Sequence, residues 1–360
     1  MRVMIVIFIV AVVAVGVWMF RGTDEPGGVP SAQPAPEMPV PKVSAFRKVV
    51  FPTDQQGLLD EPRVGVFQPT ASGNIQSALY GSVRTVKSGQ GMASSFHEGI
   101  DIAPLQRDRR GLPMDKVYAV AEGRVGYVNR VAGNSNYGIY VVLVHDDPLG
   151  EVYTLYSHLA AVEPTIRSGV EVTAGMTLGR MGNTSSSAFP ASRSHLHFEV
   201  GLLTNSRFGE WYRAQRLKPD HGLYNGFNML ALNPVEFFRA QKERDDFELK
   251  DFLGEIPVAF EVLVPVRHTC DYFRRYPALW EGVDGGAGWI VLSCSENGTP
   301  LKGRVASEAE KRKVGGRGPV VLTANAEVLG RNGCHLVQRD AARWRVGAKG
   351  VRWLEILTYP

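Results

Sequence analysis

The chain has 360 residues, 44% hydrophobic and 21% charged. That is enough apolar material for a sizeable core and for two domains, and it excludes wholesale disorder. A net charge of +4 and a pI near 8.9 exclude the strongly basic surface of a nucleic-acid binder, while suiting an anionic wall or membrane face.

Residues 3–20 form an uncharged apolar run between Arg2 and Arg21. At ~1.5 Å per residue these 18 positions span about 27 Å, close to the ~30 Å hydrocarbon core. The run ends in Trp18-Met19-Phe20-Arg21, a poor cleavage site, and the small residues Ala14 and Gly16 lie inside it. Residues 1–21 are therefore predicted to be a transmembrane signal anchor, with a cleaved signal peptide as the alternative. Either would carry the rest across the membrane. Residues 22–44, rich in Pro, Gly and Ala, predict an extended linker.

In 45–232, short β-branched runs at 117–120, 123–128, 139–144 and 152–156 alternate with Gly, Asn and Asp turns. This pattern predicts an all-β domain, an antiparallel sandwich or barrel-like sheet. Asn233, Pro234 and Glu236 then fit the cap, first turn and third position of a helix, so 233–255 is predicted to be a helical connector. In 256–360, strand-like runs at 259–266, 289–293, 320–323 and 353–358 predict a second β-rich domain, whose role the residue types do not reveal. All three cysteines, Cys270, Cys294 and Cys334, fall there; with no C-x-x-C, a thiolate metal site is not expected.

The chemistry concentrates in three short stretches. In S-R-S-H-L-H-F-E-V, His195 and His197 lie on one face of a strand, with Leu196 and Phe198 on the other. In H-E-G-I-D, Gly99 and the Ile100/Ile102 alternation favour an extended segment, with His97 and Asp101 on one face and Glu98 pointing away. In L-Y-S-H-L, His158 ends a strand. Imidazole and carboxylate are ordinary zinc ligands, and catalytic sites usually use three, leaving a position for water. His97, Asp101 and one histidine of the dyad make such a set. His145 reads as structural; His221, His268 and His335 read as surface or satisfied residues.

In order and spacing, these stretches resemble the lysostaphin/LytM-type zinc metalloendopeptidases, a family of peptidoglycan hydrolases with H-x-x-x-D, Y-x-H-L and H-x-H. The flanking V-x-A-x-x-x-G-x-V at 117–125 and the Gly-rich run at 168–182 resemble the family too, so the likeness covers about 82–201. One departure is Arg193-Ser194, which stands where the family has Gly-Pro. The resemblance implies one zinc ion held by His97, Asp101 and His197, with His158 and His195 as non-ligand catalytic histidines. It further implies an open peptide-binding groove, a peptidoglycan peptide or cross-link as substrate, and a cell-envelope location, with the membrane engaged through the N-terminal anchor. Any regulatory protein partner is unidentified. An alternative is a non-catalytic wall-binding relative that activates an amidase. A lipoyl-type carrier shares the 117–125 pattern but needs a hairpin-tip lysine that is absent.

Overall fold

The computed structural model describes residues 43–360 except 62, 89–90, 188, 219–220, 283–286, 315–317 and 331–332. The predicted anchor and nearly all of the linker lie outside the described residues. Among the described residues, no helix is long and apolar enough to cross a membrane.

After three short 3-10 turns (Ala45–Arg47, Gly57–Leu59 and Ile75–Ala78) comes a hairpin, β1 (Val83–Ser88) and β2 (Gly91–Phe96), whose strands pair only with each other. Nine strands then form the main sheet: β3 (Ile100–Ile102), β4 (Lys116–Tyr118), β5 (Gly123–Asn129), β6 (Ile139–Asp147), β7 (Gly150–Val162), β8 (Glu171–Val172), β9 (Thr177–Met181), β10 (Leu196–Leu203) and β11 (Met229–Leu232). All pairings in this sheet are antiparallel, and its central path runs β11-β10-β7-β6-β5-β8. One edge of β10 pairs with β7. The other pairs first with β3, at 196–198, and then with β11, at 200–203.

The β-branched runs predicted as strands fall at β4, β5, β6 and β7, and those of β6 and β7 are buried because the sheet is covered on both faces. One face packs into the main core with Ile100, Ile102, Phe198 and Phe238. On the other, Tyr140, Val142, Tyr153, Leu155 and Leu203 are buried with Met229, and Tyr127, Tyr137, Leu223 and Tyr224 pack against them. Along this stretch the sheet face is covered by the protein's own aromatic side chains. The segment between β10 and β11, containing α1 (Phe208–Ala214), contributes Leu223 and Tyr224 to that cover.

The connector holds two helices, α2 (Pro234–Glu243) and α3 (Leu249–Glu255). The predicted cap is present, with Asn233 Oδ1 accepting from the amide of Val235 at 3.1 Å.

The C-terminal region is mixed. A five-stranded sheet comprises β12 (Phe260–Val266), β13 (Trp280–Glu281), β14 (Gly288–Cys294), β15 (Pro300–Val305) and β16 (Val320–Ala324), and β17 (Val337–Asp340) pairs with β18 (Arg343–Val346). Helices α4 (Asp271–Arg275), α5 (Glu308–Lys311), α6 (Ala326–Gly330) and α7 (Ala348–Leu357) accompany them. Three of the four expected strands are present. The fourth, 353–358, is instead the end of α7: Gly350, Trp353, Leu354 and Leu357 are buried on one helical stripe that the apolar run alone did not reveal. No disulfide joins the three cysteines.

The C-terminal region shares the main core, with Phe260, Tyr276 and Trp353 in the same cluster as Phe198. Polar contacts add to the join: the hydroxyl of Tyr276 donates to Glu151 O at 2.9 Å, and Ser206 Oγ donates to Asp271 Oδ1 at 2.9 Å.

Candidate metal centre

Strand β10 supplies the first part of the site by plain alternation. Leu196, Phe198, Val200 and Leu202 enter the core, leaving His195, His197 and Glu199 on the opposite face. The β3–β10 register sets Asp101 directly opposite His197, with Ile100 and Ile102 opposite Phe198 and Leu196. His97 is fixed at the hairpin base, where its amide donates to Ser82 O at 3.0 Å and its carbonyl accepts from Gly81 N at 2.9 Å. Between them, Gly99 passes so close to β10 that a Cβ would lie 2.3 Å from Phe198 O, so no side chain fits there.

The geometry brings together all five residues predicted from the sequence. His97 Nε2, Asp101 Oδ1 and His197 Nδ1 form a near-equilateral triangle with sides of 3.1, 3.0 and 3.1 Å. A tetrahedral zinc with ligands at ~2.0–2.1 Å needs ligand atoms about 3.3 Å apart, so this triangle matches one face of that polyhedron. The tautomers also fit. His97 Nδ1 lies 3.0 Å from Leu79 O, which can only accept, and 3.1 Å from Arg84 Nη2, which can only donate; with its proton on the carbonyl, Nε2 presents a lone pair. His197 Nε2 lies 2.9 Å from Glu199 Oε1, which leaves Nδ1 for the centre. Glu199 is in turn fixed by the hydroxyls of Tyr137 at 2.8 Å and Tyr153 at 3.0 Å. A carboxylate behind a ligand imidazole is a usual outer shell of a zinc site.

Charge favours a cation here. Burial would raise the Asp101 pKa, but His97, His195 and Arg84 hold it well below the usual carboxylate range. Burial would lower that of His197, but Asp101 and Glu199 raise it to about 9. A metal ion must displace the Nδ1 proton, so its affinity weakens as pH falls. Arg84 Nη2 donates to Asp101 Oδ2 at 2.5 Å and Arg84 Nε to Ser77 O at 2.9 Å, leaving Oδ1 to the centre.

His195 and His158 stand beside the triangle, with ring centroids 4.8 Å apart. Each directs Nδ1 at a carbonyl, His195 at Arg193 O (2.7 Å) and His158 at Thr184 O (2.8 Å). Both therefore keep Nε2 as a lone-pair acceptor. Burial lowers the His195 pKa; burial, then His195 and His197, holds that of His158 well below 6.5. Both are neutral at pH 7. Phe189 stacks on His195 at 5.3 Å and meets His158 edge-on at 5.1 Å.

Residues 95–207 match the model of Peptidase family M23. That stretch contains His97, Asp101, His158, His195 and His197. No curated protein matches the sequence. Among solved structures, a chain of the SpoIIIAH–SpoIIQ complex is 22% identical, with a TM-score of 0.30, over 53% of this chain and 99% of that one. The catalytic domain of the antimicrobial peptidase lysostaphin from Staphylococcus simulans is 20% identical (TM-score 0.28; 45% of this chain, 89% of that one). A zinc-containing peptidase from Vibrio cholerae is 22% identical (TM-score 0.24; 38% of this chain, 36% of that one).

The centre also involves residues outside the three motifs. Glu199 continues the 195, 197 alternation and was there to be found. Arg84 and Tyr137 reach the centre from distant elements and gave no sequence signal. Burial and then the Glu199 charge raise the Glu98 pKa to about 7. His145 is structural as predicted, held between Glu122 O and Thr154 Oγ1 at 2.7 Å each.

Proposed function

We propose that the chain is a zinc-dependent endopeptidase that hydrolyses peptide bonds in peptidoglycan peptides or cross-links during wall remodelling. The observation that carries this reading is the convergence of three ligand atoms beside two imidazoles with free Nε2 lone pairs. His97, Asp101 and His197 hold the ion, and Glu199 keeps His197 in the required tautomer. A bound zinc supplies Lewis acidity, polarising the scissile carbonyl and bringing the pKa of water near 7. Nε2 of His158 or His195 takes the proton from the attacking water, and the pair returns it to the leaving amine. In this reading the peptide lies on the side lined by His158, Phe189 and His195. The apolar N-terminal run and the linker support a membrane-anchored protein with this domain outside the cytoplasm, in the periplasm or outside the cell.

The test is digestion of purified peptidoglycan by the full-length protein in detergent, beside His195→Ala, with and without a chelator. New free amines released by the wild type alone, and abolished by the chelator, are expected. Stoichiometric zinc without any release would turn the reading to the non-catalytic amidase activator.

A further inference from the structure

We infer that the C-terminal region is a working part of the metal centre: Gly333, His335 and Lys349 position the β1–β2 hairpin and, through it, Arg84 and His97. This rests on the zinc reading above and assigns part of that site to a region outside the M23 match.

The hairpin cannot hold itself. Two strands without a neighbouring sheet are marginal in water, and β1 and β2 pair with no other strand. Yet this hairpin delivers two groups to the centre. Arg84, on β1, binds the outer oxygen of Asp101, and β2 runs directly into His97.

The support comes from the far end of the chain. His335 Nε2 lies 2.7 Å from Ser94 Oγ. Lys349 Nζ donates to Ser94 O at 3.0 Å and to Gly333 O at 3.4 Å, tying both backbones together. Gly333 lies flat on β2, where a Cβ would stand 2.5 Å from Ser95 O. Ser95 is the residue directly opposite Arg84 in the hairpin register. The pressed point on β2 is therefore one cross-strand step from the guanidinium that holds Asp101. His335 adopts a left-handed backbone, φ 53°, a conformation that costs a non-glycine residue energy and persists where surrounding structure demands it. No described contact joins the C-terminal region to His158 or His195, so its role is to brace the site, not to block it.

The test uses full-length, zinc-loaded protein and reads the rate of zinc transfer to a chromogenic chelator, with thermal midpoints measured alongside. Lys349→Ala removes the tie and Gly333→Ala pushes on β2; each is expected to release zinc about tenfold faster, the scale seen when outer-shell partners of a metal are lost. Lys349→Arg is expected to restore slow release. Ser94→Ala deletes only the hydroxyl and is the mild variant expected to fold, with a smaller increase. Ser206→Ala loosens the C-terminal region elsewhere and should match the wild type. Unchanged release in Lys349→Ala, Gly333→Ala and Ser94→Ala overturns the inference, as does an equal increase in Ser206→Ala, which would mean general loosening. A wild-type protein that takes up no zinc overturns the zinc reading itself.

Discussion

Strands β10 and β7 meet at the metal centre and place their histidines by opposite means. On β10 the regular two-residue period is sufficient: His195, His197 and Glu199 share a face because every second residue does. On β7 that period is broken. Ser157 is directly opposite His197, so its neighbour His158 belongs by alternation on the other face. Instead His158 takes φ 59°, beside register shifts against β6 and β9, and its ring reaches the His195 side. A bulge of this kind re-aims a side chain at the expense of local strain. The ligand strand is thus regular and the proton-handling residue is strained.

The sharpest way to break this comparison is to delete one histidine from each strand. His197→Ala should lose both metal and activity. His158→Ala should retain one zinc per chain by elemental analysis while turnover falls by at least ~100-fold, the scale of a lost general base. If His158→Ala also loses its zinc, the division between the strands is wrong. A smaller effect tests the regular strand. Glu199→Gln should weaken zinc binding about 10- to 100-fold in a competition titration, because His197 loses its charged partner; unchanged affinity would remove Glu199 from the outer shell. The smallest effect tests the strain directly. His158→Gly and His158→Ala lose the same ring, but only alanine keeps the left-handed penalty, so in urea unfolding the glycine variant should be more stable by roughly 1 kcal/mol. Equal stabilities would show that the positive φ is not maintained in solution.

The same contrast explains what could be read in advance. His97, Asp101 and one histidine of the 195/197 pair were legible because two short motifs carry them on extended segments, where spacing maps directly onto faces; the choice of His197 came from the family resemblance. The core strands were legible because β6 is a continuous β-branched run. Features made by contacts between distant segments were not. Arg84 lies 17 positions from Asp101, and nothing in V-R-T-V signals a carboxylate partner. The cover over the sheet comes from Tyr224 and Leu223, about 70–85 positions from the β6 and β7 tyrosines they pack against. In 353–358 a short apolar run alone fits a strand; the helical period appears only when Ala348 to Arg352 are counted with it.

Gly99 gives the centre its scale. It sits between His97 and Asp101, and its missing methyl group lets that segment lie against the β10 backbone at Phe198. The size of the ion's cage is therefore governed by a position that offers no ligand atom. A single added carbon there would act as a wedge, prising one half of the donor triangle from the other while every donor remained in the sequence.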